Sequence, residues 1–159
     1  MLSIQSVLVG QTCIIEHIGS TSVQGLSAKP IIDIALGVEE LAQADAFIEP
    51  LMRLGYEYVP KADFPNRRFF RKGEWRNGTH HLHVYEAGSE EWQNQLLFRD
   101  YLKAHPHTLS EYDKLKRELA LLHPDDGSPI RGGRAVLFNP FFNWRGKLFH
   151  NLVSFVIYL

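Results

Sequence analysis

The stretch from Ile15 to Ile34 constrains this chain most. A β-branched run stops at Gly19-Ser20-Thr21, and a second apolar run begins after Pro30 and carries Asp33 inside it. Thr12 to Ile18 and Ile31 to Val38 therefore read as buried strands bounded by Gly and Pro. The link between them has room for no more than a turn or two of helix. Small residues at such a turn let backbone N–H groups approach an anion, and an acidic residue on the neighbouring strand can hold a cation against phosphate. The stretch reads as a nucleotide or phosphate site.

The two-residue strand period places Ile31, Asp33 and Ala35 on one face and Ile32, Ile34 and Leu36 on the other. A carboxylate in an apolar run costs free energy unless it is paired, hydrogen-bonded or metal-bound. Capping a turn, or pairing with Lys29 or an arginine, is the alternative to ligating. Further along, Thr79-His80-His81-Leu82-His83-Val84 alternates so that His81 and His83 share a face. Two imidazoles at this spacing can share a cation if their strand lies beside the one carrying Asp33, and are otherwise solvated. Imidazole ligation suits Zn, Mn, Fe or Ni better than Mg. Arg67, Arg68 and Arg71 lie around the preceding strand, with Arg99 and Lys116 on later helices. Each can neutralise phosphate oxygens or be a solvated charge. His17 is placed to orient the Gly-Ser turn, to bind metal, or to sit in the core with its nitrogens satisfied.

Between these segments, Leu41, Ala44, Phe47, Leu51 and Leu54 form a helical stripe that stops at Gly55, and Pro50 is expected to kink it. Phe69-Phe70-Arg71 and Thr79 to Tyr85 flank a turn region containing Asn77-Gly78, which predicts a β-hairpin with an irregular loop. Ser89 is placed to cap a helix through Trp92, Leu96 and Tyr101. Thr108-Leu109-Ser110-Glu111 matches a capping box for another through Tyr112, Leu115, Leu119 and Leu122. The order is that of an α+β protein, and 159 residues suffice for a single domain.

A net charge of −1 gives no strong nucleic-acid signal. The lone Cys13 reads as a small hydrophobe. No secretory signal opens the chain, and Leu152 to Leu159 are too few to span a bilayer, so a cytoplasmic protein without membrane partners is expected.

Glu16-His17-Ile18-Gly19-Ser20-Thr21-Ser22-Val23, Gly25-Leu26, Ala28-Lys29-Pro30-Ile31-Ile32-Asp33-Ile34, His81-Leu82-His83-Val84 and Phe98-Arg99-Asp100-Tyr101-Leu102 resemble the GrpB family. The resemblance runs from about Ile14 to Asp126. It implies a polymerase-β-like nucleotidyltransferase fold: a mixed sheet with helices grouped on one side and toward the C-terminal half. It implies a site more than a named reaction. In the superfamily pattern a second carboxylate stands two residues after the first, where this chain has Ala35, and His81 or His83 stands where a later carboxylate is expected. Gln24 replaces the family's usual proline.

Two functional readings follow from the resemblance. In the first, the protein binds a nucleotide or phosphorylated small molecule and carries out metal-dependent nucleotidyl transfer. Asp33 is then catalytic, Gly19, Ser20, Thr21, Lys29, Arg68, Arg71 and Arg99 contact substrate, and Asp33, His81 and His83 hold a divalent metal (Mg, Mn or Zn). In the second, it is a non-catalytic binding module that has lost the second carboxylate. A mononuclear metallohydrolase on Asp33, His81 and His83 is a third reading that lacks an evident general base.

Relatives also carry a helix before the first strand and an amphipathic helix at the end. This chain starts short by that standard and is expected to lack both in their usual form, and the uncovered apolar surface would favour homo-oligomers. From Gly127 the sequence departs from the family, but codons available for these residues, read after one inserted base, yield a family-like tail. A frameshift near Asp126 is therefore expected. Reading the nucleotide sequence checks it: codons incompatible with that second frame rule it out.

Overall fold

The computed structural model describes residues 2–8, 10–60, 64–74 and 77–122. The atypical tail, with its expected shift of frame and its Phe138, Phe141, Phe142, Trp144 and Phe149, lies outside these residues. The chain divides into two compact units: residues 1–24 with 28–99, and residues 25–27 with the chain from Asp100 onward.

The first unit is built on five strands: β1 (Ile14–Ile18), β2 (Ile32–Val38), β3 (Tyr56–Tyr58), β4 (Arg68–Glu74) and β5 (Asn77–Glu86). Their order across the sheet is β1-β2-β5-β4-β3, and only the β2–β5 pairing is parallel. This mixed sheet, with the two longest helices following the last strand, is the expected α+β architecture.

Alternation along the strands sends Ile34, Leu36, Phe70, Leu82 and Val84 to one face, where they are almost fully buried. Three short elements cover that face. They are α1 (Leu2–Val7), a 3₁₀ stretch (Leu41–Phe47) and α2 (Ile48–Arg53), contributing Ile4, Phe47 and Leu51. The segment before the first strand thus carries one short helix of six residues. A segment this short shows little amphipathic period, and Ile4 is anchored by burial rather than by propensity.

Other elements differ in detail from what their sequence suggests. The stripe from Leu41 is a 3₁₀ stretch followed by an α-helix rather than one kinked helix. Pro50 is the third residue of α2, where backbone N–H groups have no intrahelical acceptor to lose. Gly55, at φ 83°, ends it as expected. β4 and β5 form the expected hairpin, with a register shift at Lys72/Gly73; Glu74 pairs with Asn77 and Gly73 with Gly78, so Asn77-Gly78 opens β5. A Cβ on Gly73 would come within 2.9 Å of Gly78 Cα, which explains a glycine at that bulge.

On the sheet's other face, α3 (Glu90–Ala104) begins with its N-cap in place, Ser89 Oγ accepting the Trp92 N–H at 3.3 Å. Trp92 lies against Gly37, where a Cβ would stand 3.1 Å from the indole.

In the second unit, α4 (Pro106–Leu122) starts before Thr108, so the expected capping box does not form and Thr108 is buried within the helix. Pro106 occupies the first helical position, where its fixed φ is favourable and its missing N–H costs nothing. Asp113 Oδ1 accepts the Ser27 N–H and Lys116 Nζ donates to Ser27 O, each at 2.6 Å, which pins residues 25–27 to α4. Among the described residues no helix is long and apolar enough to cross a membrane.

Phe70→Ala should cost about 3–5 kcal/mol in urea unfolding, because the ring is fully buried beneath the sheet. Met52→Ala, at a side chain 59% exposed, should cost less than about 0.5 kcal/mol.

Candidate metal and anion site

Parallel pairing of β2 with β5 sets Asp33 beside His81 and Ala35 beside His83. Antiparallel pairing adds Ile18 next to Asp33, Glu16 next to Ala35, Arg71 next to His81 and Phe69 next to His83. Directly paired residues share a face, so these side chains stand on the side opposite the main core. Asp33 Oδ1 lies 3.0 Å from His81 Nδ1, and both side chains are partly exposed.

His83 is different in kind. It is buried, and neither ring nitrogen has a hydrogen-bond partner. Burial, followed by the charges of Arg67 and His81, holds its pKa well below the usual histidine value. It is therefore a neutral imidazole with an unused lone pair. One ligand atom each from Asp33, His81 and His83 lie within 4.8 Å of one another. Ligands about 2.1 Å from a shared cation stand at most roughly 4.2 Å apart, so a small side-chain rotation would close the set. Phe69 packs against both imidazoles, its ring centroid 5.3 Å from His81 and 5.0 Å from His83.

The turn after β1 shapes the edge of this cluster. Gly19 has φ 70°, and a Cβ there would run into the Asp33 carboxylate and lie 2.8 Å from Asp33 Cβ. Glycine is thus required twice, by backbone conformation and by the closeness of Asp33. The following 3₁₀ turn, Ser20–Ser22, is closed by Ser22 Oγ donating to Gly19 O at 2.6 Å. Thr21 Oγ1 gives its only proton to Ile31 O at 3.2 Å, and so accepts from His17 Nε2 at 3.0 Å. His17 is paired with Ile34 on the core face. Its bond to Thr21 ties it to the turn, on the face opposite Asp33.

The arginines separate by strand parity. Arg68 pairs with Val84 on the core side and bonds Asp45 at 3.2 Å, which removes it from the Asp33 face. Arg71 is on the Asp33 face but bonds Glu57 at 2.8 Å. Arg99 Nη1 donates to Glu16 Oε2 at 2.6 Å and to His17 O at 3.0 Å, bracing the strand that leads into the turn. Lys29 is exposed in the link before β2.

Sequence reasoning left Arg67 unsingled among its neighbours. It is buried, with its guanidinium carbon 4.4 Å from the Phe64 ring centroid, and it donates to the Tyr85 hydroxyl. Burial, outweighing these contacts, pushes the Tyr85 pKa up to about 12. The available signal was parity: Arg67, Phe69 and Arg71 alternate with Arg68 and Phe70, whose face is the core.

The family profile described as "GrpB protein" matches residues 2–131. The UPF0157 protein YqkA of Bacillus subtilis is 44% identical over 111 residues, covering 70% of this chain and 32% of that protein. The glutamate-rich protein GrpB of Alkalihalophilus pseudofirmus is 37% identical over 127 residues, covering 77% of this chain and 73% of that protein. The match thus spans about a third of the first relative and nearly three quarters of the second. The crystal structure of the conserved protein GrpB from Enterococcus faecalis superposes with a TM-score of 0.77 at 34% identity, covering 96% of this chain and 87% of that one.

Gly19→Ala should destabilise the protein more than Gly10→Ala in thermal or urea unfolding. Both glycines have positive φ, which costs an alanine roughly 1–2 kcal/mol. Gly10 has nothing within 4 Å of its added Cβ, whereas at Gly19 the Asp33 side chain must also move.

Proposed function

The chain belongs to the GrpB family, and from that premise we propose that Asp33, His81 and His83 hold one divalent cation beside which a nucleotide or another phosphorylated small molecule binds. The observation that carries this reading is His83, a buried neutral imidazole with no partner at either nitrogen, next to a carboxylate and a second imidazole. A buried polar group of that kind is costly unless a ligand satisfies it. One carboxylate with two imidazoles favours Zn, Mn, Fe or Ni over Mg.

A bound cation would supply positive charge for phosphate oxygens. The protein's own part is orientation. Asp33 Oδ1 and His81 Nδ1 already face one another at 3.0 Å, the spacing of two neighbouring ligand atoms that a shared cation would take in place of their hydrogen bond. Gly19 keeps the turn close to that carboxylate, and the Thr21–His17 bond keeps the turn in place.

The reading favours binding over transfer. Two-metal phosphoryl chemistry needs oxygen ligands shared by a pair of cations, and Ala35 stands where the second carboxylate is expected. One observation favours a transferase: Glu16 is paired with Ala35 and offers a carboxylate on the same face. Its Oε2, however, is held by Arg99 at 2.6 Å.

Equilibrium dialysis with Zn²⁺ or Mn²⁺ should find one ion per chain. Asp33→Asn and His83→Gln should each weaken binding by at least about tenfold. With the cation present, AMP at a hundred times its Kd should add roughly 2.7 kcal/mol of stability, and without the cation much less. Absence of the ion, or equal affinity in both variants, overturns the reading. Turnover of a labelled nucleoside triphosphate that vanishes in Asp33→Asn would instead establish the transferase.

A further inference from the structure

Arg67 carries a charge that no carboxylate among the described residues balances. Its exposure is 9%. Its guanidinium carbon sits 4.4 Å from the centroid of Phe64 and 6.0 Å from that of Phe69, and Nε has no hydrogen-bond partner. It also hydrogen-bonds the neutral Tyr85 hydroxyl, which receives Gln95 Nε2 at 3.3 Å. A buried guanidinium held this way is strongly unfavourable unless an anion reaches it. Arg71 and Arg99, by contrast, each have a carboxylate of their own, Glu57 and Glu16.

The position of Arg67 says where that anion sits. Phe69 pairs with His83 across the β4–β5 ladder. Arg67 lies two residues before Phe69 and continues the same face one step further from Asp33. Phe69 is packed on both imidazoles and also flanks Arg67, so the guanidinium and the three ligand side chains belong to one patch.

We infer that Arg67 is the anion-binding residue of this site, and that the group it shares with the cation on Asp33, His81 and His83 is a phosphate monoester dianion. This rests on the cation-binding reading above. Charge decides the class. A divalent cation and Arg67 bring three positive charges, Asp33 brings one negative charge, and imidazoles that ligate a metal are neutral. A surplus of two positive charges remains. A phosphate monoester above its second pKa, about 6, cancels it. A phosphodiester or a carboxylate, each a monoanion, leaves one positive charge uncompensated. The planar guanidinium, 4.4 Å from the Phe64 ring centroid, has its Nε–H unused, and a guanidinium suits two phosphate oxygens through its paired N–H groups.

The test is calorimetric titration of the full chain, Mn²⁺-loaded and Mn²⁺-free, at about pH 7.5, where a monoester is a dianion. The probes are methyl phosphate, dimethyl phosphate and acetate, against wild type, Arg67→Met and Arg67→Lys. Wild type should bind methyl phosphate at least about tenfold tighter than either monoanion. Arg67→Met should lose at least about tenfold on methyl phosphate while keeping its Mn²⁺, the loss expected of one charge-assisted hydrogen bond. Arg67→Lys should fall between the two.

Melting without anion gives an independent readout. Arg67→Met should melt no lower than wild type, because it removes an unbalanced buried charge while retaining an apolar stem over Phe64. Methyl phosphate should then raise the wild-type melting temperature and leave that of Arg67→Met unchanged. Unaltered methyl phosphate affinity in Arg67→Met overturns the inference, and so does equal wild-type affinity for dimethyl phosphate. If wild type binds no Mn²⁺, the cation reading fails and the dianion assignment fails with it. The Mn²⁺-free titration then decides Arg67 alone: dependence on this residue keeps it as the anion-binding residue, and independence removes it.

Discussion

The parallel pairing of β2 with β5 is the constraint on which the site depends. It aligns residues nearly fifty positions apart in sequence, so that Asp33 meets His81 and Ala35 meets His83. A slip of one residue would turn each imidazole to the opposite face and set Leu82 against Asp33. The core specifies the register: Ile34, Leu36, Leu82 and Val84 must all reach the buried side together. The same alternation that forms the core therefore places the ligand set, without any device of its own.

Much of this arrangement was legible in the sequence. The two strands, the Gly-Ser turn, the shared face of His81 and His83 and the Ser89 cap follow from periods and capping chemistry that act over a few residues. The neighbour of Asp33 did not follow, because a parallel pairing is closed by distant segments and leaves no local mark. The hairpin around Asn77-Gly78 was legible from composition, whereas the irregularity falls at Gly73, because the ladder extends through Asn77 and Gly78. Thr108 reads as a cap, yet Pro106 offers an earlier start and burial of Thr108 makes that start preferable. In α1 a single deeply buried residue, Ile4, outweighs a weak local pattern.

Electrostatics sorted the arginines in a way composition did not. Arg68, Arg71 and Arg99 meet Asp45, Glu57 and Glu16 and act as braces between elements. Such pairs contribute little stability where exposed, but they hold side chains in fixed places. Arg67 has aromatic rings and a phenol where the others have carboxylates. Residues adjacent in sequence thus carry opposite duties, because a strand sends its neighbours to opposite sides.

Ala35 has a consequence for how this protein can change. It is completely buried, with His83 on one side and Glu16 on the other. An aspartate there would need space already filled, would stand close to a carboxylate already committed to Arg99, and would bring a charge into a closed patch. The alanine therefore closes this position: an acidic residue there would require the neighbouring side chains to be reshaped in concert.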